Sequence, residues 1–353
     1  MRLYKMELYK ICHRKFFALG MVCIIGILFI DFHMLVQIEK TTIDGITYTG
    51  YQAVREDRRI TEEFKGIMTE EKATQILEKY ELTYSTEEDG VLMNNNFLIN
   101  FIEEYYIEIY SRTNSSPESA VEIAGKEIQL EYYRGWRTFL DVIQVEMTLG
   151  SILVLCCVAV VFSGEEQVKM RSLLFTTKEG KRKDIYAKFA AAFTVAVAVW
   201  LIIVILDLVI CGIVYGLDGL VCYNGMVMSH LFPWPERMIP MYAFVAMAML
   251  FSFLGFCSLC AITLCLSAGC RSNFHAVVLA AVCYIVPVVV VSMLAGGFYG
   301  IFKYMAAAPV FMVLYLTIEK IYDVWQIIAG IAVVVSVYCT ISACRKYSRR
   351  HLT

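Results

Sequence analysis

SILVLCCVAVVFSGEEQVKMRSLLFTTKEGKRKDIYAKFAAAFTVAVAVWLIIVILDLVI, residues 151–210, holds two long apolar runs on either side of a loop dense in charge. A bilayer core of about 30 Å needs roughly 20 apolar residues in a helix, because no water is present there to satisfy a free backbone N–H or C=O. The flanks of this stretch therefore read as membrane spans at 141–163 and 189–216, with the charged segment 164–188 between them at one membrane surface.

Outward from there, four more runs qualify: 16–36, 240–267, 274–297 and 324–344. Over 353 residues the composition is 59% hydrophobic and 18% charged, with a mean hydropathy of +0.61, far from soluble domains at about 45–50% apolar residues. The expected fold is an all-α polytopic membrane protein with six transmembrane helices. Residues 16–30 resemble a signal peptide, but Asp31, Phe32 and His33 follow in place of small residues, so the segment reads as an uncleaved anchor.

Lys and Arg concentrate on one side of these spans. Segments 1–15, 164–188 and 345–353, with Arg271 after the fourth span, carry nearly all the flanking positive charge, against Arg237, Lys303 and Lys320 in the opposite loops. Both termini are thus expected in the cytoplasm and residues 37–140 outside. That outer segment has 11 Lys/Arg and 20 Asp/Glu, the rest of the chain 20 and 13, so an acidic soluble piece is set into a basic membrane part and nucleic acid is not an expected partner.

The outer segment reads as a mainly α-helical domain. Thr69 before Glu70 and Glu71 marks a helix start with Ala73, Ile76, Leu77 and Tyr80 on one face. Phe97, Leu98, Phe101, Ile102, Tyr105 and Ile109 form a second apolar stripe, and Ser116–Pro117 opens a third helix, with loops at 87–90 and 111–116. Segment 298–318 is apolar but broken by Gly300, Lys303 and Pro309, and reads as a re-entrant or interfacial pair of short helices. Residues 1–15 place Tyr4, Leu8, Ile11 and Cys12 on one face of an amphipathic helix lying in the cytoplasmic interface. Thirteen cysteines sit in or beside apolar runs, where a thiol acts as a small hydrophobe, and no metal site is expected.

The loop carries the most specific signal. Glu165, Arg171, Leu173, Leu174, Thr176, Thr177, Gly180, Arg182, Ile185, Lys188 and Phe189 resemble the signature cytoplasmic loop of type-2 ATP-binding-cassette exporter permeases, with Lys178 where many relatives have Pro. The resemblance implies a short coupling helix docking in a groove of a separate ATPase subunit, with Glu165, Glu166, Arg171, Leu173, Leu174 and Phe175 at that contact. It also implies ATP and Mg held by the partner ATPase, none by this chain, and pairing with a second copy or a related permease in the lipid bilayer. The chain has no G-x-x-x-x-G-K-[ST] phosphate loop, since Phe175 stands where the first Gly is needed before Gly180 and Lys181, and no nucleophile with a matching base stands out.

Asp31, Asp141, Glu146 and Asp207 lie near the outer ends of spans, where they could line a path for a cationic cargo or sit hydrated at the interface. The expected function is ATP-driven export of an amphiphile, such as a bacteriocin-like peptide. An ion-coupled secondary transporter using these acids, or a membrane sensor built on the acidic outer domain, is the alternative.

Overall fold

The computed structural model describes residues 2–80, 95–102, 127–167, 183–223, 239–295, 300–314 and 321–349. Six helices among them are long and apolar enough to cross a membrane: α2 (Lys15–Ile38), α5 (Arg134–Gln167), α6 (Lys183–Val214), α7 (Met241–Ser267), α8 (Asn273–Val290) and α10 (Trp325–Arg349). The chain is a multi-pass helical membrane protein. Its described residues form two compact units, Met1–Ile27, Ile143–Ile205 and Met247–Thr353 in the first, Leu28–Val142 and Leu206–Ala246 in the second.

In the first unit α1 (Arg2–Cys12) precedes α2, burying Ile11 and Glu7 and leaving Lys5, Met6 and Tyr9 exposed. Within α5, 67% of the span window is buried, against 22% in α6 and 17% in α10. The enclosed helix is therefore α5, and the outer ones turn residues such as Leu201, Ile202, Val334 and Tyr338 outward, as helices dissolved in lipid do. Glycines set the closest approaches: Gly150 lies against Val199, Ile203 and Phe256, and Gly255 against Met312 and Val313. Pro287 removes one N–H from the ladder of α8, which ends in a π-helical turn at Val291–Ala295.

Segment 298–318 is described from Gly300 to Leu314. It forms a 3-10 helix, Gly300–Ala307, and a single short α9 (Pro309–Leu314), neither long enough to cross a membrane, with Ala306, Met312 and Val313 fully buried.

The second unit is more mixed than a helical reading expects. An antiparallel hairpin pairs β1 (Lys40–Ile43) with β2 (Ile46–Thr49), closed at Asp44 and Gly45, with φ of 49° and 75°. Positive φ at both positions is the type I′ turn whose twist matches its strands, and Asp-Gly is the pair that adopts it. Helix α3 (Tyr51–Glu63) follows, and a two-residue strand β3 (Gly66–Ile67) pairs with β4 (Gln129–Leu130). Thr69 opens α4 (Glu70–Tyr80), its Oγ1 accepting from the Lys72 N–H at 3.2 Å, and Ala73, Ile76 and Tyr80 are buried as the periodicity requires. Residues 97–102 are helical and pack Phe97 on Tyr132 and Tyr133, ring centroids 4.9 Å apart in each pair. Tyr105, Ile109, the loops 87–90 and 111–116 and the helix start at Ser116 lie outside the described residues.

Two of the spans begin ahead of their apolar limits. Helix α5 starts at Arg134, ahead of 141, where the guanidinium grips Glu39 through both its oxygens at 2.9–3.1 Å, and Trp136 donates to the Leu217 carbonyl. Helix α6 starts at Lys183, ahead of 189. Helices run past the hydrocarbon-like stretch where charged residues find partners.

Candidate functional site

The last turn of α5 is a junction. Ser163, Glu165 and Gln167 lie two residues apart, and between them they hold the ends of five other helices. Ser163 Oγ donates to Asn273 Oδ1 at 2.8 Å, and the Phe162 and Ser163 N–H groups both donate to Ser267 Oγ at 3.2 Å, which seats α5 on the α7–α8 turn. Gln167 Oε1 accepts from the Asn273 N–H. A Cβ at Gly164 would already rest against the Asn273 amide.

Glu165 faces the other way. Its Oε1 lies 3.1 Å from Lys188 Nζ on α6 and 3.5 Å from Lys10 Nζ on α1, and its Oε2 accepts from Tyr347 Oη on α10 at 3.1 Å. Lys188 is wholly buried and also bonds Asp184, one turn earlier. Its ammonium lies 5.9 Å from the centre of the Tyr347 ring, which packs on Phe162, itself against Phe189. Asp184 is in the first turn of α6, where helix N–H groups favour a carboxylate, and Lys188 follows at i+4 on the same face. A buried ammonium with two carboxylates and a ring face has all its donors directed.

Lys10 also pairs with Glu7 at 2.5 Å. Burial works against its charge, but Glu7 and Glu165 outweigh that and hold its pKa above the ordinary lysine value. Tyr4 Oη donates to Thr194 Oγ1 at 3.0 Å, a second tie between α1 and α6. The amphipathic first helix is thus fastened to the helix that leaves the loop.

Helix α5 ends at Gln167 and α6 begins at Lys183, so both helices flanking segment 168–182 meet at this junction. Of the residues expected at an ATPase contact, Glu165 is turned inward to the junction and 12% exposed at its side chain, and Glu166 is partly exposed. Arg171, Leu173, Leu174 and Phe175 lie outside the described residues. Lys10, Asp184, Ser267, Asn273 and Tyr347 do not stand out in the sequence; the available signal is Asp184 and Lys188 four apart at the head of an apolar helix.

The expected path residues separate by burial. Glu146 and Asp207 are fully buried, whereas Asp31 and Asp141 are partly exposed. Glu146 belongs to the first unit and the other three to the second. Among the described residues no group of three or more His, Cys, Asp or Glu is arranged to hold a metal.

The second unit contains a half-buried acid that no sequence pattern marks. Asp57 of α3 accepts from Thr41 Oγ1 at 2.6 Å and from the Phe97 N–H at 3.2 Å, tying α3 to the hairpin and to helix 97–102. Burial raises its pKa from 3.8 to about 6, with Glu39 adding to the rise and the Thr41 and Phe97 bonds and Arg134 opposing it. An acid whose pKa is higher when folded binds its proton more tightly in the native state, so protonation stabilises this unit fully below pH 4 and the gain is lost as pH rises through 6. Thermal unfolding of the purified protein is expected to show about 2 kcal/mol more stability for this unit at pH 4 than at pH 7.5 through this group. Asp57→Asn, whose Oδ1 can still accept from both Thr41 and Phe97, should remove that component of the pH dependence.

Compared with protein-family models, with characterised proteins and with solved structures, the chain shows no significant match.

Proposed function

We propose that this chain is the membrane-spanning subunit of an ATP-binding-cassette exporter of the type-2 class, driven by a separate cytoplasmic ATPase that docks on loop 164–188. The observation that carries the reading is the junction around Glu165 and Lys188: the loop resembling a coupling loop starts and ends on a buried ion network joined to α1, α6 and α10. Ser163 and Gln167 extend the same junction to α7 and α8. A push on a loop so anchored is delivered to many span ends at once, because packed interfaces and buried ion networks shift between discrete arrangements and do not deform continuously.

In this reading the termini and the loop face the cytoplasm of a plasma membrane, residues 37–140 face outward, and two six-span subunits pair. The net charge of residues 37–140, 20 acids against 11 bases, suits a cationic amphiphile, such as a membrane-active peptide, as cargo. The second reading, an ion-coupled transporter, draws on the complete burial of Glu146 and Asp207 within α5 and α6.

The test is copurification with the ATPase expressed beside it. Leu173→Asp with Leu174→Asp should reduce recovery of the ATPase and its substrate-stimulated turnover by at least about tenfold, as burying a charge in an apolar groove costs several kcal/mol. An ATPase that stays bound with unchanged turnover overturns the coupling reading. Transport that follows an ion gradient without ATP establishes the second.

A further inference from the structure

We propose that Cys265 on α7 and Cys339 on α10 form a reversible disulfide when the membrane meets a hydroperoxide, stapling the two helices together. The pair follows from helix register. Ser258 Oγ lies 2.8 Å from Ser336 Oγ and 3.5 Å from the Ala332 carbonyl, a close approach allowed by small side chains. Further along both helices, Lys346 Nζ of α10 reaches Cys265 Sγ of α7 at 3.7 Å. Contacts that advance in the same direction on both helices make α7 and α10 parallel. Seven residues on from Ser258 is Cys265, and seven on from Ala332 is Cys339, a step of about 10.5 Å on each helix. The register therefore places the Cys339 thiol level with Cys265 on the neighbouring helix.

Both thiols are free in the structure. Cys265 is buried and Cys339 partly exposed, with Lys346 and Arg345 exposed beyond them, so a small polar oxidant would enter from the Lys346 side. The Lys346 side chain leans back toward the start of its helix, as helical side chains do, and sets its ammonium on Cys265. There it stabilises negative charge developing on sulfur and on the leaving oxygen during attack.

In the first step the Cys265 sulfur attacks one oxygen of ROOH, the O–O bond breaks, ROH leaves with the thiol proton, and Cys265 becomes a sulfenic acid. The Cys339 sulfur then attacks that sulfur, the S–S bond forms, and the hydroxyl leaves as water with the second proton. Two thiols lose two electrons and the hydroperoxide gains them; a dithiol reductant reverses the bond by exchange. The disulfide would form whatever drives transport.

The experiment uses the full-length protein in detergent or proteoliposomes, hydrogen peroxide as oxidant, and alkylation before and after dithiothreitol, with the thirteen cysteines followed by mass spectrometry. A Cys265–Cys339 linked peptide that appears with peroxide and vanishes with dithiothreitol is expected. Cys339→Ser should leave Cys265 as a sulfenic acid trapped by dimedone, and Lys346→Met should slow its formation by about fivefold. In the wild-type protein, Cys265 and Cys339 that remain alkylatable while other thiols oxidise, or that pair with other cysteines, overturn the proposal whatever the variants do. An unchanged rate in Lys346→Met overturns the role given to the lysine.

Discussion

Lys188→Met is expected to destabilise the first unit by about 3–5 kcal/mol, the cost of leaving a buried charge without its partner. Lys188 is 0% exposed, Asp184 3% and Glu165 12% at their side chains, so water cannot take the place of the lost ammonium. The loss should appear as a lower thermal unfolding midpoint of the detergent-solubilised protein at neutral pH. Adding Asp184→Asn and Glu165→Gln should restore part of it, because uncharged amides leave less unmatched charge than the single variant does. Equal loss in the single and triple variants would show that packing by the lysine stem, not charge, holds the junction. A surface pair gives the contrast: breaking Arg59–Glu56, with Arg59 57% exposed, should cost no more than about 0.5 kcal/mol.

The second large effect belongs to a glycine. A Cβ at Gly135 would overlap the Gly216 carbonyl and crowd Tyr215, and backbone cannot swing aside as a side chain tip can. Gly216 and Gly219 themselves have φ of 83° and 88°, and Gly219 donates its N–H to Glu131 while its Cα faces Tyr133. Gly135→Ala should therefore cost about 3 kcal/mol by displacing the first turn of α5 from this turn. The matched control is Gly26→Ala in α2, where nothing lies within 4 Å; it should be neutral or stabilise by up to about 1 kcal/mol. Parallel unfolding curves of the two variants measure the difference. Similar midpoints would mean that the 135–216 approach is not tight in solution.

The six spans are legible in the sequence because each is a long run whose apolar side chains must be matched to lipid or to one another, a property of composition that does not depend on the rest of the fold. Their ends are not, because Arg134, Glu165 and Lys188 extend helices beyond the apolar run through partners far away in sequence. Helix α3 is hidden for a related reason. Its buried face is Ala53, Val54, Ile60 and Thr61 with Asp57 between them, a 3.6-residue stripe in which a carboxylate and a hydroxyl interrupt the hydrophobic signal. The hairpin does carry a signature, Asp44–Gly45 between Lys40–Ile43 and Ile46–Thr49, but it is short and stands beside a segment dominated by helical period. The junction at Glu165 is half visible. Glu165 and Lys188 both stand out in the loop, but that they face each other depends on where two helices end.

The hairpin has a practical corollary. Its buried residues, Thr41 and Ile43, lie on β1, whereas Asp44, Gly45, Ile46 and Thr47 are all exposed around the turn. An epitope spliced between Asp44 and Gly45 would lengthen an exposed tip and touch no buried side chain. A reporter mounted at this tip, scored by antibody binding to intact against permeabilised cells, would turn an inference from lysines and arginines into a direct view of which face of the membrane the hairpin occupies.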